Sequence, residues 1–301
     1  MSAEENVAAL LEVLDLQETA ALPNTQEDVF FEGISQYKPD ERVFGGQVLA
    51  QCVVAAGRTV AEDRPIHSMH GYFLRAGDAR EPITFGVEVL RDGGSFSARR
   101  VHAYQKGAPI MSVMTSFQER QEGFEHQDPF PEGVPAPEDC PELRELVGDV
   151  DLPHVREWVV KRPFDLRLVE PAIYLHHHGE KVAHQSVWIR TSAAFPADQL
   201  LSSAALAYAS DFNLLESGLR RQGLSWMTPG LRLASLDHAM WWHRPIAADE
   251  WMLYSQISPS AEGGRNLGAG RIFAQDGTLL ATVAQQGMMR VKPEGGRGLV
   301  R

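Results

Sequence analysis

The chain has 301 residues, 44% of them hydrophobic and 23% charged, which is enough apolar material for one large core or two ordinary ones. Forty acidic residues against 28 basic ones give a formal net charge of -12, which argues against a duplex nucleic-acid binder but leaves room for a phosphorylated ligand held by a few local arginines. Cys52 and Cys140 are the only cysteines and show no paired spacing, so neither a disulfide framework nor a thiolate zinc site is expected.

The opening "MSAEENVAALLEVLDL" is acidic, with no basic segment before an apolar run, and is not a secretory signal. No stretch approaches the roughly 18 apolar residues that a membrane span requires, and the closing "GGRGLVR" carries no address. A cytoplasmic protein is the expectation. "GGQVLAQCVVAAGRTV" (45–60) opens on two glycines and is nearly all apolar, the pattern of a helix buried on most sides. From His70 the chain reads as an antiparallel meander, with an aromatic strand ending at Arg75 and a "KG" hairpin signal before an alternating last strand. "DPFPEGVPAPEDCPE" (128–142) is proline-rich and acidic, the composition of a surface connection. "HHH" (176–178) lies beside Gly179; neighbouring histidines splay apart, so no metal is assigned to it.

The second half repeats the plan. Leu201, Ala205, Tyr208, Phe212, Leu215 and Leu219 recur at spacings of three and four, one helix face. The meander from Ala239 then aligns with the first, Arg244 with Arg75 and Gly277 with Gly107, at offsets of 169 and 170. A helix that apolar needs a curved sheet wrapped around it. The expected fold is therefore α+β, a double hotdog whose two helix-plus-sheet repeats pack as a pseudo-dimer. Its parts are an N-terminal repeat at 1–125, a connection at 126–160 and a C-terminal repeat at 161–301.

"LASLDHAMWWHRP" (233–245) places much polar chemistry in an otherwise aromatic strand. Strand alternation from Leu231 and Leu233 turns Ser235 toward the helix, together with Asp237, Ala239 and Trp241, and turns His238 to the opposite face as a packing or hydrogen-bonding residue rather than a base. In the last strand Gln285 shares the inward face with Val283, Gly287 and Met289. Asp211, three after Tyr208 and four before Leu215, stands at the margin of the helix stripe. Each alone is an ordinary helix-edge carboxylate, bonded strand hydroxyl or core amide. Burying all three together costs several kcal/mol unless they pair, and as a group they can hold and deprotonate a water. Trp241 and Trp242 read as core.

"SDFNLL", "LASLDHAMWWHRP", "EWMLYSQ" and "AQQGMMR", with "FGGQVLAQ", "HSMHGYFLRAGD" and "LRDGGSFSARRV", resemble the bacterial acyl-CoA thioesterase II family over most of residues 10–292. The resemblance implies hydrolysis of acyl-CoA thioesters without a cofactor, and it puts the family's catalytic Asp, Ser-or-Thr and Gln on Asp211, Ser235 and Gln285. The usual bacterial residue at the middle position is Thr; Ser keeps the hydroxyl. The first repeat offers Ile66 and Thr115 at the matching places, so one site per chain is expected. Arg75, Arg99 and Arg100 suit CoA phosphates or an ordinary surface role, and none is assigned. The resemblance leaves room for a homo-oligomer of such chains. Three rivals are weighed. A hotdog acyl-CoA hydratase or dehydratase would use an acid and a His, but "DRPIH" (63–67) lacks the expected asparagine. A serine hydrolase would need a G-x-S-x-G elbow, which the chain lacks. The third is a non-catalytic acyl-CoA-binding protein.

Overall fold

Two helices buried on every side organise the molecule. Helix α2 (Gly45–Gly57) is buried from Gly46 to Ala56, and α4 (Gln199–Ser210) from Ser202 to Ser210. The computed structural model describes residues 2–36, 41–147, 159–177 and 179–292. Ahead of α2 come α1 (Ala3–Leu14), β1 (Gln17–Glu18) and β2 (Val29–Gly33). After it run β3 (Ile66–Phe73), β4 (Ile83–Asp92), β5 (Phe96–Gln105) and β6 (Ala108–Gln118). The connection carries the short helix α3 (Leu143–Val147). The second half brings β7 (Phe164–Leu168), β8 (His184–Thr191), α4, α5 (Glu216–Gln222) and β9 (Leu231–Ser235). It closes with β10 (Asp237–Trp242), β11 (Met252–Glu262), β12 (Arg265–Ala274) and β13 (Leu279–Val291).

Among the described residues thirteen strands form one antiparallel sheet in the order β1-β2-β4-β5-β6-β3-β10-β13-β12-β11-β8-β7, with β9 paired to β13. The order reads as its own mirror, β3 answering β10 and β6 answering β13, which is the double hotdog. The two halves join where β3 pairs β10, Met69 opposite Met240 and His70 opposite Ala239. Inside the sheet α2 and α4 lie antiparallel and very close. A Cβ on Gly46 would stand 2.4 Å from the Tyr208 carbonyl oxygen, and one on Gly57 2.4 Å from Leu200. Backbones approach this closely only where side chains are absent or small.

The expected helix face of Leu201 to Leu219 is real, but the helix is not continuous. It stops at Ser210, with Asp211 as its C-cap, and α5 restarts at Glu216. Tertiary bonds support the break. The Tyr254 hydroxyl donates to the Ser210 carbonyl at 3.1 Å, and the Asn213 carboxamide oxygen and carbonyl accept from Gln256 and Gln185. Two helical pieces on one side of the chain preserve a three-and-four spacing that a single helix would also show.

The strand at 231–242 departs further from expectation. Ser235 pairs with Gly287, whereas Ala239 pairs with Ala284, so four steps on one strand face three on the other. That is a β-bulge at Leu236, and the Asp237 carboxylate mends the ladder by accepting the Gln286 N–H at 2.7 Å. A bulge reverses the alternation beyond it. His238, Met240 and Trp242 therefore point inward, and Asp237, Ala239 and Trp241 do not share the face of Ser235 as alternation predicted. Trp242 is core; Trp241 is half-buried against the His70 ring, 5.0 Å between centroids.

Arg99, open to either role in the sequence, is buried. It donates to the Thr59 hydroxyl and carbonyl, the Arg91 and Ala98 carbonyls and Asp92, and has no solvent face for a phosphate. Arg100 pairs with Glu88. His176 is exposed and His177 half-buried, while His178 lies outside the described residues.

Candidate active site

Asp211, Ser235 and Gln285 meet. They come from a helix cap, the last residue of β9 and the inner face of β13, and each position has a local cause. Asp198 caps the start of α4 by accepting from the Leu201 N–H, a bond contributing about 1 kcal/mol, and the helix then delivers Asp211 at its far end. The bulge ends β9 at Ser235, and alternation along β13 from Ala281 onward aims Gln285 inward, where it is 1% exposed. The Gln285 amide donates from Nε2 to Asp211 Oδ1 at 2.7 Å and lies 2.6 Å from Ser235 Oγ. The Ser235 hydroxyl donates to the same Oδ1 at 3.2 Å. Two donors on one carboxylate oxygen hold its plane. Beneath them the Tyr254 phenol is pushed well up by burial and by the Asp211 charge, and so stays a neutral donor.

The other carboxylate oxygen looks across to the first half. A Cβ on Gly45 would fall 2.7 Å from Asp211 Oδ2 and 2.8 Å from the Phe73 ring. Helix α2 starts here, capped by Phe44 without any side-chain bond. The N–H groups of Gln47 and Val48 return to the Phe44 carbonyl, and helix geometry leaves those of Gly45 and Gly46 without an intrahelical partner. The centre is thus built from both halves. The paired glycines of "FGGQ" mark this helix start in the sequence, but nothing there assigns it to the site. Gly45→Ala is expected to keep the melting temperature within a few degrees while lowering turnover roughly 10²-fold, the scale of an ångström-sized misplacement. A folded variant with wild-type turnover would remove the helix start from the reaction centre.

His238, sent to the opposite face by alternation, is turned inward by the bulge. It is fully buried behind the trio, its Nδ1 2.7 Å from Gln285 Oε1 and its Nε2 2.9 Å from Ser210 Oγ. Burial lowers its pKa to about 4, only partly opposed by the Gln285 bond, so the ring is neutral near pH 7.

The trio opens on a cleft of about 790 Å³ between the halves, within the range of small-molecule sites. Its walls are apolar and come from both repeats: Val43, Phe44, Phe73 and Ile110 from one, Tyr208, Phe212 and Trp226 from the other. The Phe44 and Phe212 rings stack at 5.4 Å. Arg42, Arg75, Lys161 and Arg162 also line it. The Arg162 guanidinium lies 4.2 Å over the Phe212 ring, and Arg75 is steadied by the Pro109 carbonyl. An apolar chain with a multiply charged anionic head fits such a lining by charge and polarity. Among the described residues no group of three His, Cys, Asp or Glu could hold a metal ion.

The matching positions in the first half carry other residues. Ile66 and Thr115 lie on β3 and β6, and the C-cap of α2, matching Asp211, is Arg58.

The sequence matches two family models, "Acyl-CoA thioesterase" over residues 160–288 and "Acyl-CoA thioesterase N-terminal domain" over 35–118. It is 39% identical over 271 residues to acyl-CoA thioesterase 2 of Haemophilus influenzae, covering 88% of this chain and 93% of that one. Among solved structures it resembles an acyl-CoA thioesterase II from Mycobacterium marinum, with a TM-score of 0.74 and 40% identity. That match covers 96% of this chain and 100% of the other. A protein of unknown function with a hot dog fold from Alicyclobacillus acidocaldarius shares the architecture at a TM-score of 0.75 and 18% identity, over 95% of this chain and 99% of that one.

Proposed function

This chain belongs to the acyl-CoA thioesterase family, and we propose that it hydrolyses acyl-CoA to free fatty acid and CoA with Asp211 as the general base. The observation that carries the reading is the convergence of Asp211, Ser235 and Gln285 on the wall of an apolar, basic-rimmed cleft. A thioester has little resonance stabilisation and a good thiolate leaving group, so an activated water suffices. Water held by Ser235, Gln285 and Asp211 gives its proton to the Asp211 carboxylate as its oxygen bonds to the carbonyl carbon. The carbonyl oxygen, now negative, lies against the Gly45 and Gly46 N–H groups at the positive end of α2. Collapse breaks the carbon–sulfur bond, and the proton on Asp211 passes to the departing thiolate. The acyl chain occupies the aromatic cleft, and the CoA phosphates meet Arg42, Arg75, Lys161 and Arg162.

In this reading residues 1–125 form a repeat without its own catalytic group, 126–160 the connection and 161–301 the repeat that carries the trio. The reaction serves fatty-acid metabolism in the cytoplasm, and assembly of several chains is compatible with it. Thiol release from a panel of acyl-CoAs, short to long, tests the activity. Binding without release would favour a non-catalytic binder, and hydration of an enoyl-CoA a hydratase.

Ser235 could also attack the thioester directly, but that needs an adjacent base. Both nitrogens of His238 are taken by Gln285 and Ser210, so occupancy, rather than the opposite strand face expected from alternation, keeps it from serving Ser235. Ser235→Thr is expected to retain most turnover, and Ser235→Ala to lose much of it while leaving measurable activity. Mass spectrometry of enzyme quenched during turnover should show no acyl adduct. A stoichiometric adduct on Ser235 that decays at the turnover rate would replace the water mechanism with a covalent one.

A further inference from the structure

The two ends of the Gln285 amide are nearly equal in size, yet only one orientation serves the site. With Nε2 toward Asp211 and Ser235 the amide donates at 2.7 and 2.6 Å. Turned over, it would press Oε1 against the carboxylate oxygen, lone pair against lone pair. Asp211 itself favours the first orientation, but the amide's other end decides how firmly it holds. That end meets a single ring nitrogen, His238 Nδ1, at 2.7 Å. A carbonyl oxygen there requires a hydrogen on Nδ1, because an unprotonated nitrogen would repel it and welcome the NH₂ end instead.

We propose that His238 is a positioning residue for the catalytic amide: carrying its hydrogen on Nδ1, the buried ring holds Gln285 with its NH₂ group turned to Asp211 and Ser235.

The inference rests on the catalytic reading of the trio and adds a residue that reading does not use. The rest of the neighbourhood agrees with the tautomer. A neutral ring with hydrogen on Nδ1 needs a donor at Nε2, and the Ser210 hydroxyl lies there at 2.9 Å. That hydroxyl can also donate to the Ala207 carbonyl at 2.9 Å, and in this tautomer its one hydrogen turns to Nε2 instead. Ser210 is the residue before Asp211, and its carbonyl is tied to Tyr254. One relay, Ser210 to His238 to Gln285 to Asp211, therefore returns almost to its starting point and locks the helix end to the amide. Asp211 and Tyr254 connect to the ring through the Gln285 amide and the Ser210 backbone, and burial keeps His238 neutral well below pH 7. Burial of an imidazole at 1% exposure with both nitrogens engaged is more than packing requires, since an apolar side chain would fill the space without desolvating two polar atoms.

The test is a double-mutant cycle read in kcat and KM. Asn at 238 carries an NH₂ near the place of Nδ1, whereas Leu is similar in size and has no donor. His238→Leu should lower kcat roughly 10- to 100-fold, the range for losing a bond that orients a functional side chain, with KM little changed. His238→Asn should restore most of it. Added to Gln285→Ala, His238→Leu should cost no more than about twofold further, because no amide is left to hold. Wild-type turnover in a folded His238→Leu, or an equal loss with and without Gln285, would overturn the proposal while leaving the trio intact. Wild-type turnover in Gln285→Ala would overturn the catalytic reading and the proposal with it. Should His238→Leu fail to fold, nitrogen NMR of histidine-labelled wild-type protein decides: hydrogen on Nδ1 supports the proposal, and hydrogen on Nε2 alone refutes it.

Discussion

Asp211→Asn should lower thioester hydrolysis by roughly 10²- to 10⁴-fold, the range for losing a general base, and should leave the fold intact. The substitution is nearly isosteric. An Asn carboxamide can set its oxygen where Asp211 Oδ1 stands and still accept from the Ser235 hydroxyl and the Gln285 amide. What disappears is the ability to take a proton from water. Helix α4 ends at Ser210 whatever the cap, because its interior is packed against α2 and its last carbonyl is tied to Tyr254. The expected pattern is a large fall in kcat, a small change in KM and a thermal unfolding curve close to wild type. Thiol release and circular dichroism measure both. Near wild-type turnover in the folded variant would remove Asp211 from the mechanism.

A chain beginning near residue 160 should be insoluble or inactive, although it holds Asp211, Ser235, Gln285 and His238. Three surfaces explain why. Strand β10 would lose β3 and present the backbone of Asp237 to Trp241 as an unpaired edge, a template for aggregation. Helix α4 would lose α2 and expose side chains such as Leu206 and Tyr208 that are now buried, at roughly 1.5–3 kcal/mol for each large apolar group uncovered. The cleft would lose Val43, Phe44 and Phe73, and the carboxylate would lose the helix start at Gly45. Size-exclusion chromatography of the fragment with a thiol-release assay checks this. A monomeric, active fragment would overturn the pseudo-dimer reading and the helix-start role of Gly45 and Gly46 alike.

What the sequence determined by itself is whatever depends on local periodicity. The nearly all-apolar run at 45–60, the stripe from Leu201 to Leu219 and the repeated meanders dictated two helices inside one curved sheet, because such faces can be buried in few other ways. Alternation along β13 runs on from Ala281 past Gln285, so Gln285 was correctly turned inward from its neighbours Val283 and Gly287. Asp211 and Ser235 were reachable the same way, one at the cap where α4 ends and the other just before the bulge.

The tertiary structure decided everything past those points. Nothing in "LASLDHAMWW" announces that Leu236 is an extra residue; only pairing with β13, which places Gly287 opposite Ser235 but Ala284 opposite Ala239, reverses the faces and sends His238 into the core. The spacing from Leu201 to Leu219 is blind to a break that the Tyr254, Gln185 and Gln256 side chains support from distant strands. Arg99 and Arg100 are indistinguishable neighbours until Thr59 and Asp92 close around one of them. Gly45 becomes part of the site only because α2 and α4 pack with almost nothing between them. Periodicity reports which way a side chain points relative to its neighbours in the chain. A bulge, a helix end and a close approach of two backbones are set by partners far away in sequence, and those partners exist only in the folded molecule.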